Sequence, residues 1–266
     1  MMGLMRADTY RLTKGKMWMP FATLIIIAIA VSGLIYLALN VDWISLSAEG
    51  GTELTTADKD ILTQMLTGTQ VAQIMLSFTI VLAMAFISIF SNLWSIEFSA
   101  GVAKNVLVSG VSRTTFYFSK LATGWAVGAL MLVVYTMAIG ISAQLFVGHL
   151  DFGALVLSML AQLPLYLALI TIGFFLFIII PKESIAIVTY ILVFLFSETI
   201  IKNLVNVFLP KWTIIKDMFL FSKIGVMSDL STLSQHAITT NILTGIAYMV
   251  IFTILGWLVF RYKEIK

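Results

Sequence analysis

Six long apolar runs constrain the fold of this 266-residue chain more than any other feature. Each reaches about 18 residues or more, the length that an α-helix needs to cross a bilayer. A transmembrane β-barrel has alternating segments of about ten residues instead. With 60% hydrophobic and only 11% charged residues, the sequence predicts an all-α, polytopic membrane protein forming a single transmembrane domain over residues 1–266. The six predicted spans are residues 19–39, 71–94, 114–147, 153–180, 184–201 and 240–260.

The segment between the second and third spans is too polar to cross a membrane. Each Lys or Arg at the centre of a spanning helix costs roughly 2.5–3.5 kcal/mol on insertion scales. We therefore expect residues 97–120 to lie outside the hydrocarbon. Their charged side chains are Glu97, Lys104, Arg113 and Lys120.

Within this segment, the pattern predicts a short helix followed by the start of the third span. Residues 102–108 are long enough for two helical turns, and Gly101 and Gly110 flank them where a backbone can bend or take a left-handed cap. Ser112 has the hydroxyl that an N-cap needs. Residues 97–120 are thus predicted to form a helical elbow on the membrane, a shape suited to being pushed by another protein.

The N-terminal segment, residues 1–18, interleaves cations with apolar side chains. This spacing predicts an amphipathic helix lying in the membrane interface; a solvated basic tail is the alternative. The cations are Arg6, Arg11, Lys14 and Lys16.

The distribution of the 16 Lys and Arg residues predicts the orientation. Cytoplasmic loops carry an excess of these residues, and most of them fall on one side of the six-span arrangement. Both termini and the elbow are therefore expected in the cytoplasm of a bacterial cell, with the chain in its plasma membrane. The same bias accounts for the net charge of +3 without a nucleic-acid partner.

A few polar residues lie in the apolar runs and are candidates for lining a transport path. Gln70, Gln73 and Ser77 share a helical face, and Glu198 is a carboxylate near the outer end of the fifth span. Polar groups in lipid turn toward protein or water, so ordinary hydrogen bonding between helices is the alternative for the first three. For Glu198 the alternative is a structural pair with Lys202, one helical turn away.

Residues 202–239 are half apolar, but no piece of them reaches the length of a span. Short helices that dip into the outer leaflet and return satisfy such a pattern when protein covers their backbone. The sequence predicts outer re-entrant helices here, before the sixth span.

Common catalytic motifs are absent from the sequence. It has no cysteine, no phosphate-binding loop, no H-E-x-x-H and no G-x-S-x-G, so the usual ATP-binding, metalloprotease and serine-hydrolase arrangements lack their residues. The two histidines, His149 and His236, have no clustered ligands around them. We therefore expect no enzyme activity, no metal and no cofactor in this chain.

Three stretches resemble the type-2 permease family of ABC exporters, the membrane subunits that work with a separate ATPase. They are RADTYRLTKGK before the first span, IEFSAGVAKNVLVSGVSRTTFYFSK between the second and third, and the interrupted outer segment before the sixth. The resemblance implies that residues 101–109 form a coupling helix that docks in a cleft of the ATPase. The ATPase contacts implied by position are Glu97, Gly101, Lys104, Val106, Gly110 and Arg113, with Glu97, Lys104 and Arg113 either meeting the partner or holding the elbow.

The resemblance also implies partners and a substrate class. The partners are an ABC ATPase that binds ATP and Mg²⁺, a second permease subunit, identical or related, and membrane lipid. Family members of this size often move peptides, so amphipathic or antimicrobial peptides are the expected substrate. The alternatives are an exporter of lipid-linked material, or a non-transporting sensor or assembly scaffold that uses the same elbow.

Overall fold

The computed structural model describes residues 2–15, 18–40, 67–99, 101–208, 219–230 and 233–263. Within these ranges the chain is helical and contains no β-strand, which confirms the all-α class. A 3₁₀ turn at Phe78–Val81 and a π-helical segment at Ser91–Ser95 interrupt the α-helices. The α-helices are α1 (Met2–Lys14), α2 (Trp18–Asn40), α3 (Gly68–Ser77), α4 (Leu82–Ala85), α5 (Ile87–Phe90), α6 (Ile96–Ser99), α7 (Val102–Val108), α8 (Arg113–Phe146), α9 (Phe152–Ile179), α10 (Glu183–Phe208), α11 (Leu220–Ser228) and α12 (Gln235–Tyr262).

Five described helices, α2, α8, α9, α10 and α12, are long and apolar enough to cross a membrane. A sixth crossing exists only if two helical stretches, Gly68–Ser77 and Leu82–Phe98, count as one span, and they are bent by 48°. The predicted span over residues 71–94 is therefore a broken helix, and it counts as one crossing only if both stretches belong to it.

Polar side chains in the second stretch of the broken span bond back to its own backbone. The Ser88 hydroxyl donates to the Ala85 carbonyl at 2.6 Å, and the Asn92 amide donates to the Ser88 carbonyl at 2.7 Å. Side chains that bond back to carbonyls of the preceding turn compete with the backbone ladder and bend helices. The π-helical segment begins at Ser91, inside this stretch.

The long helices run between two ends of the bundle. At the elbow end, the Arg113 side chain reaches the Arg261 carbonyl, and the Lys263 ammonium reaches the Ile178 carbonyl. The start of α8 and the ends of α9 and α12 therefore meet there. At the far end, the Tyr36 and Phe146 rings lie 5.9 Å apart, so α2 and α8 end together.

The core centres on α9, the most buried of the five long helices. Glycines let its neighbours approach closely: a Cβ added at Gly245 of α12 would lie 2.6 Å from the Pro164 carbonyl carbon. Gly128 of α8 lies against Ile170 in the same way. Small residues at helix contacts are the usual route to tight packing in membranes. In contrast, α2, α10 and α12 are mostly exposed and apolar, as lipid-facing helices are.

The interrupted segment before the last span is partly described. Helix α10 continues to Phe208 and α12 begins at Gln235, so both exceed their predicted lengths. Between them, the nine-residue helix α11 packs against α9, α12 and α3 at the far end. Residues 209–218 and 231–232 of the predicted re-entrant segment lie outside the described residues.

Candidate functional site

The elbow, residues 97–120, contains the short helix that its sequence predicts. Helix α7 covers Val102–Val108 and lies between Gly101, with φ of 68°, and Gly110, with φ of 97°. Only glycine adopts such left-handed conformations at no steric cost. Ser112 caps α8 by accepting a hydrogen bond from the Thr115 amide at 3.1 Å, which confirms its predicted role.

One face of α7 packs inward and the other faces away from the protein. Ala103 is buried, and Val106 and Leu107 pack partly buried against the core. Val106, the apolar partner contact implied by the resemblance, therefore supports the elbow itself. The sequence did not single out Val108, which is 80% exposed. It shares its face with the exposed residues Lys104 and Asn105, because residues three and four apart are neighbours on a helix.

A buried charge cluster holds the elbow to the N-terminal helix. Its members are Asp8 and Arg11 of α1, Glu97 of α6 and Lys120 of α8. The Lys120 ammonium contacts the Asp8 carboxylate and lies 2.5 Å from Oε1 of Glu97. Arg11 pairs with the same Glu97 oxygen and lies 3.2 Å from Oδ1 of Asp8.

The cluster is almost closed to solvent. Lys120, Asp8 and Glu97 are only 1–2% exposed, and Arg11 covers them from the outside. Glu97 is therefore bound within the protein and contributes to holding the elbow. Burial raises the pKa of the Asp8 carboxyl above its ordinary value, against the opposing effect of Lys120.

Sequence reasoning missed this cluster because its members lie far apart along the chain. Lys120 and Asp8 are separated by 112 positions, and Arg11 and Glu97 by 86. The one available signal was an acid, Asp8, on the predicted amphipathic helix. In α1 that residue is buried together with Leu12, so α1 packs on protein through this face.

The start of α8 is also tied to the end of α12. Arg113 donates to the carbonyls of Arg261 at 2.9 Å and Lys263 at 2.7 Å. These are groups that a helix C-terminus leaves unpaired. The Tyr117 hydroxyl donates to the Thr253 carbonyl at 3.1 Å. Arg113 thus holds the elbow, one of the two roles given to it.

Aromatic rings fill the space behind the elbow. The Trp94 ring lies 4.7 Å from Phe98 and 5.2 Å from Phe260, measured between centroids, and Phe116 stacks on Phe260 at 5.9 Å. Such pairs contribute about 0.5–1.5 kcal/mol each beyond their buried area. The segments on either side of α7 therefore rest on a packed aromatic core.

The polar residues predicted to line a path fall in two separate places. Gln70 forms a capping box with Thr67, Gln73 donates to Oδ1 of Asp229 at 3.0 Å, and Ser77 donates to the Gln73 carbonyl. These contacts are structural, at and near the far end of the broken span. Glu198 instead lines a cavity between α9, α10, α11 and α12 to which none of the three contributes.

Glu198 forms the predicted pair with Lys202 and further contacts with α11. Both Lys202 and the Ser222 hydroxyl bond to Oε1 of Glu198, and the Ser222 amide donates to Oε2 at 3.2 Å. The network fastens α11 to α10. Elsewhere, no group of His, Cys, Asp and Glu within the described ranges is arranged to hold a metal ion.

The protein is a bundle of long apolar helices with a short helix, α7, between two of its spans. Residues 22–261 match the family model of the multidrug efflux system permease Rv1217c, C-terminal domain. The chain belongs to this family. A comparison with curated proteins finds no match. The family match confirms the resemblance to exporter permeases, and it identifies the chain as a multi-pass membrane permease with a role in transport.

Proposed function

We propose that this chain is the membrane-spanning subunit of an ATP-driven ABC exporter. In this proposal a separate ATPase subunit binds ATP and Mg²⁺, and a second permease subunit completes the transporter. The observation that carries the proposal is the exposed face of α7, held rigidly at the elbow end by buried charges and aromatic rings.

The exposed face of α7 has the chemistry of a small docking surface. Val108 supplies an apolar contact at 80% exposure, and Lys104 and Asn105 surround it with polar groups. An apolar centre with a polar rim is the usual anatomy of a protein interface. The left-handed residues at each end fix the direction in which this face points.

The elbow end is the proposed cytoplasmic side of a bacterial plasma membrane. It gathers cations from separate segments, among them Arg11, Arg113, Lys182, Arg261 and Lys263. An excess of Lys and Arg marks cytoplasmic loops. This orientation places α7 where an ATPase can reach it, and puts both chain ends on the same side.

The proposed substrates are amphipathic molecules. The matching family is described as a multidrug efflux system permease. That description favours the proposal that the substrates are chemically varied apolar molecules. The amphipathic peptides expected from the sequence belong to the same broad class. A non-transporting scaffold using the elbow is disfavoured because the family description names a permease.

Substituting Val108 tests the docking surface. Val108→Asp places a carboxylate in an apolar contact, and an unpaired buried charge costs several kcal/mol. We expect at least tenfold weaker co-purification of a co-expressed ABC ATPase, and loss of substrate-stimulated ATP hydrolysis. Val207→Asp is the matched control, since Val207 is 72% exposed at the far end.

A second variant makes the test independent of one side chain. Lys104→Glu reverses a charge on the same exposed face and should also weaken ATPase binding, while membrane insertion stays normal for both variants. Normal ATPase binding and normal stimulation in Val108→Asp and Lys104→Glu would show that α7 is not the docking element.

A further inference from the structure

A cavity of about 190 Å³ opens beside Glu198, between the middle of the bundle and its far end. A dry cavity of about 150 Å³ is enough to bind benzene, so this one has room for a single-ring apolar group. Its wall is mostly apolar, and six of its thirteen lining residues are aromatic. The rings lining it belong to Tyr190, Phe194, Phe219, Phe221, Tyr248 and Phe252.

Among the described residues that line this inner cavity, Glu198 is the one with a charge, and that charge is met by an ammonium group. The Lys202 ammonium contacts the Glu198 carboxylate and the Ser222 hydroxyl, and it lies 5.7 Å from the centre of the Phe219 ring. Carboxylate, hydroxyl and aromatic face together form a site that favours a cation.

The lysine that occupies this cation position is less enclosed than its carboxylate partner. Its side chain is 35% exposed, whereas that of Glu198 is 14% exposed. A second, more open cavity of about 350 Å³ lies on the other side of the ion pair and is lined by Lys202. Phe194, Glu198 and Phe221 line both cavities. The ion pair therefore stands at the boundary between them.

We propose that the two cavities bind an amphipathic monovalent cation, with its ring in the inner cavity and its cationic group at Glu198, where Lys202 acts as a tethered competitor. When the ligand arrives, the Lys202 ammonium moves into the open cavity and is hydrated. The carboxylate keeps a cationic partner in both states. The ligand adds apolar contact that the lysine lacks, worth about 25 cal/mol per Å² buried.

The charge of the site selects among ligand classes. An anion of the same shape would lie beside the Glu198 carboxylate, and a neutral analogue would gain nothing from it. The proposal deepens the proposed function by naming a substrate class, and it rests on that function only for the step of transport. Binding itself requires this chain alone.

Three matched ligands test the proposal by calorimetry on the purified chain in detergent. They are 4-phenylbutylammonium, 4-phenylbutanol and 4-phenylbutyrate, which share the ring and differ in charge. We expect the ammonium compound to bind at least tenfold more tightly than the other two. Equal affinity for all three compounds, or no binding, would overturn the proposal.

Variants then separate the roles of the two charged residues. Lys202→Met removes the competitor and should tighten binding of the ammonium compound about tenfold. Glu198→Gln should reduce its affinity to that of the alcohol. Asp151→Asn is the control, because an asparagine side chain still caps α9 at this position, which lies outside both cavities; it should change nothing. Unchanged affinity in Lys202→Met would contradict the competitor role.

A blocking variant keeps the test decisive if Glu198→Gln fails to fold. Ser197→Phe fills the inner cavity from its wall and leaves the ion pair in place, so it should abolish binding of the ammonium compound. Retained binding would exclude the cavity as the site. These binding measurements need no ATPase. A negative result would therefore leave the proposed docking role of α7 untouched, and a negative docking test would leave the ligand-binding results valid.

Discussion

The two ends of the molecule each pair a carboxylate with a lysine, in opposite surroundings. At the elbow end, Lys120 is about 1% exposed and joins Asp8 and Glu97 from two other segments. At the far end, Lys202 is 35% exposed and joins Glu198 one helical turn away. The chemistry is the same, but the cost of separating the charges differs.

Burial decides what each pair is able to do. Removing one partner of a buried ion pair leaves an uncompensated charge and destabilises a protein by about 3–5 kcal/mol. An accessible pair contributes only about 0.2–1 kcal/mol. The Lys120 cluster is therefore a permanent structural link between α1 and the elbow, whereas the Lys202 pair can exchange its cation for another.

Substituting Lys120 should have the largest effect on stability. Lys120→Met leaves the Asp8 and Glu97 carboxylates buried beside each other, with Arg11 as the remaining cation of the cluster. We expect a destabilisation of about 3–5 kcal/mol, seen as a fall in melting temperature on the order of 10 °C in detergent. The measurement is the fraction of monodisperse protein remaining after heating.

The exposed Lys182, in the turn before α10, supplies the control for this prediction. Lys182→Met removes a cation from the same end without uncovering a buried carboxylate, so the melting temperature should barely change. Equal effects of the two substitutions would mean that the charge cluster does not secure the elbow, and the contrast between the two ends would fail.

These two pairs also show how far the sequence predicts this structure. Glu198 and Lys202 were paired correctly because helical periodicity brings residues four apart together. The short helix α7 and its glycine boundaries were predicted from local backbone preferences. The contacts of Lys120 with Asp8 and Glu97 depend on how α1, α6 and α8 pack, and no local pattern specifies that.

The same limit applies to the two valines of α7. Val106 and Val108 are equivalent in local chemistry, and only the packing of α7 on the core separates the partly buried one from the exposed one. The break in the second span was missed because hydropathy averages over Ser77, Ser88 and Asn92. Their side-chain hydrogen bonds to the backbone become visible only in the structure.

Titration of Asp8 should change the stability of the protein by an amount between those of Lys120→Met and Lys202→Met. Its pKa in the folded chain lies above the ordinary value of 3.8 because burial outweighs the attraction of Lys120 and Arg11, with Glu97 adding repulsion. The folded chain then binds this proton more readily than the unfolded chain. Stability must fall as pH rises from about 4 to the raised pKa, and level off above it.

Comparison with Asp8→Asn isolates this contribution, because all other titrating groups are common to both proteins. From pH 4 upward, the wild-type chain should lose stability relative to Asp8→Asn by at most about 1.4 kcal/mol per pH unit. Melting temperatures measured across roughly pH 4–8 provide the test. A gain of wild-type stability with rising pH would show that the Lys120 ion pair outweighs desolvation and that the pKa of Asp8 is lowered.

The smallest loss of stability is expected for a substitution at the far end. Lys202→Met removes a cation whose side chain is 35% exposed, so we expect a loss of stability of no more than about 1 kcal/mol. The melting temperature measures this loss. The Ser222 amide and hydroxyl still contact Glu198 and keep α11 fastened to α10. A loss as large as that of Lys120→Met would mean that Lys202 is a permanent structural link. The ammonium would then be too tightly held to be displaced, and a cationic ligand could not take its place at Glu198.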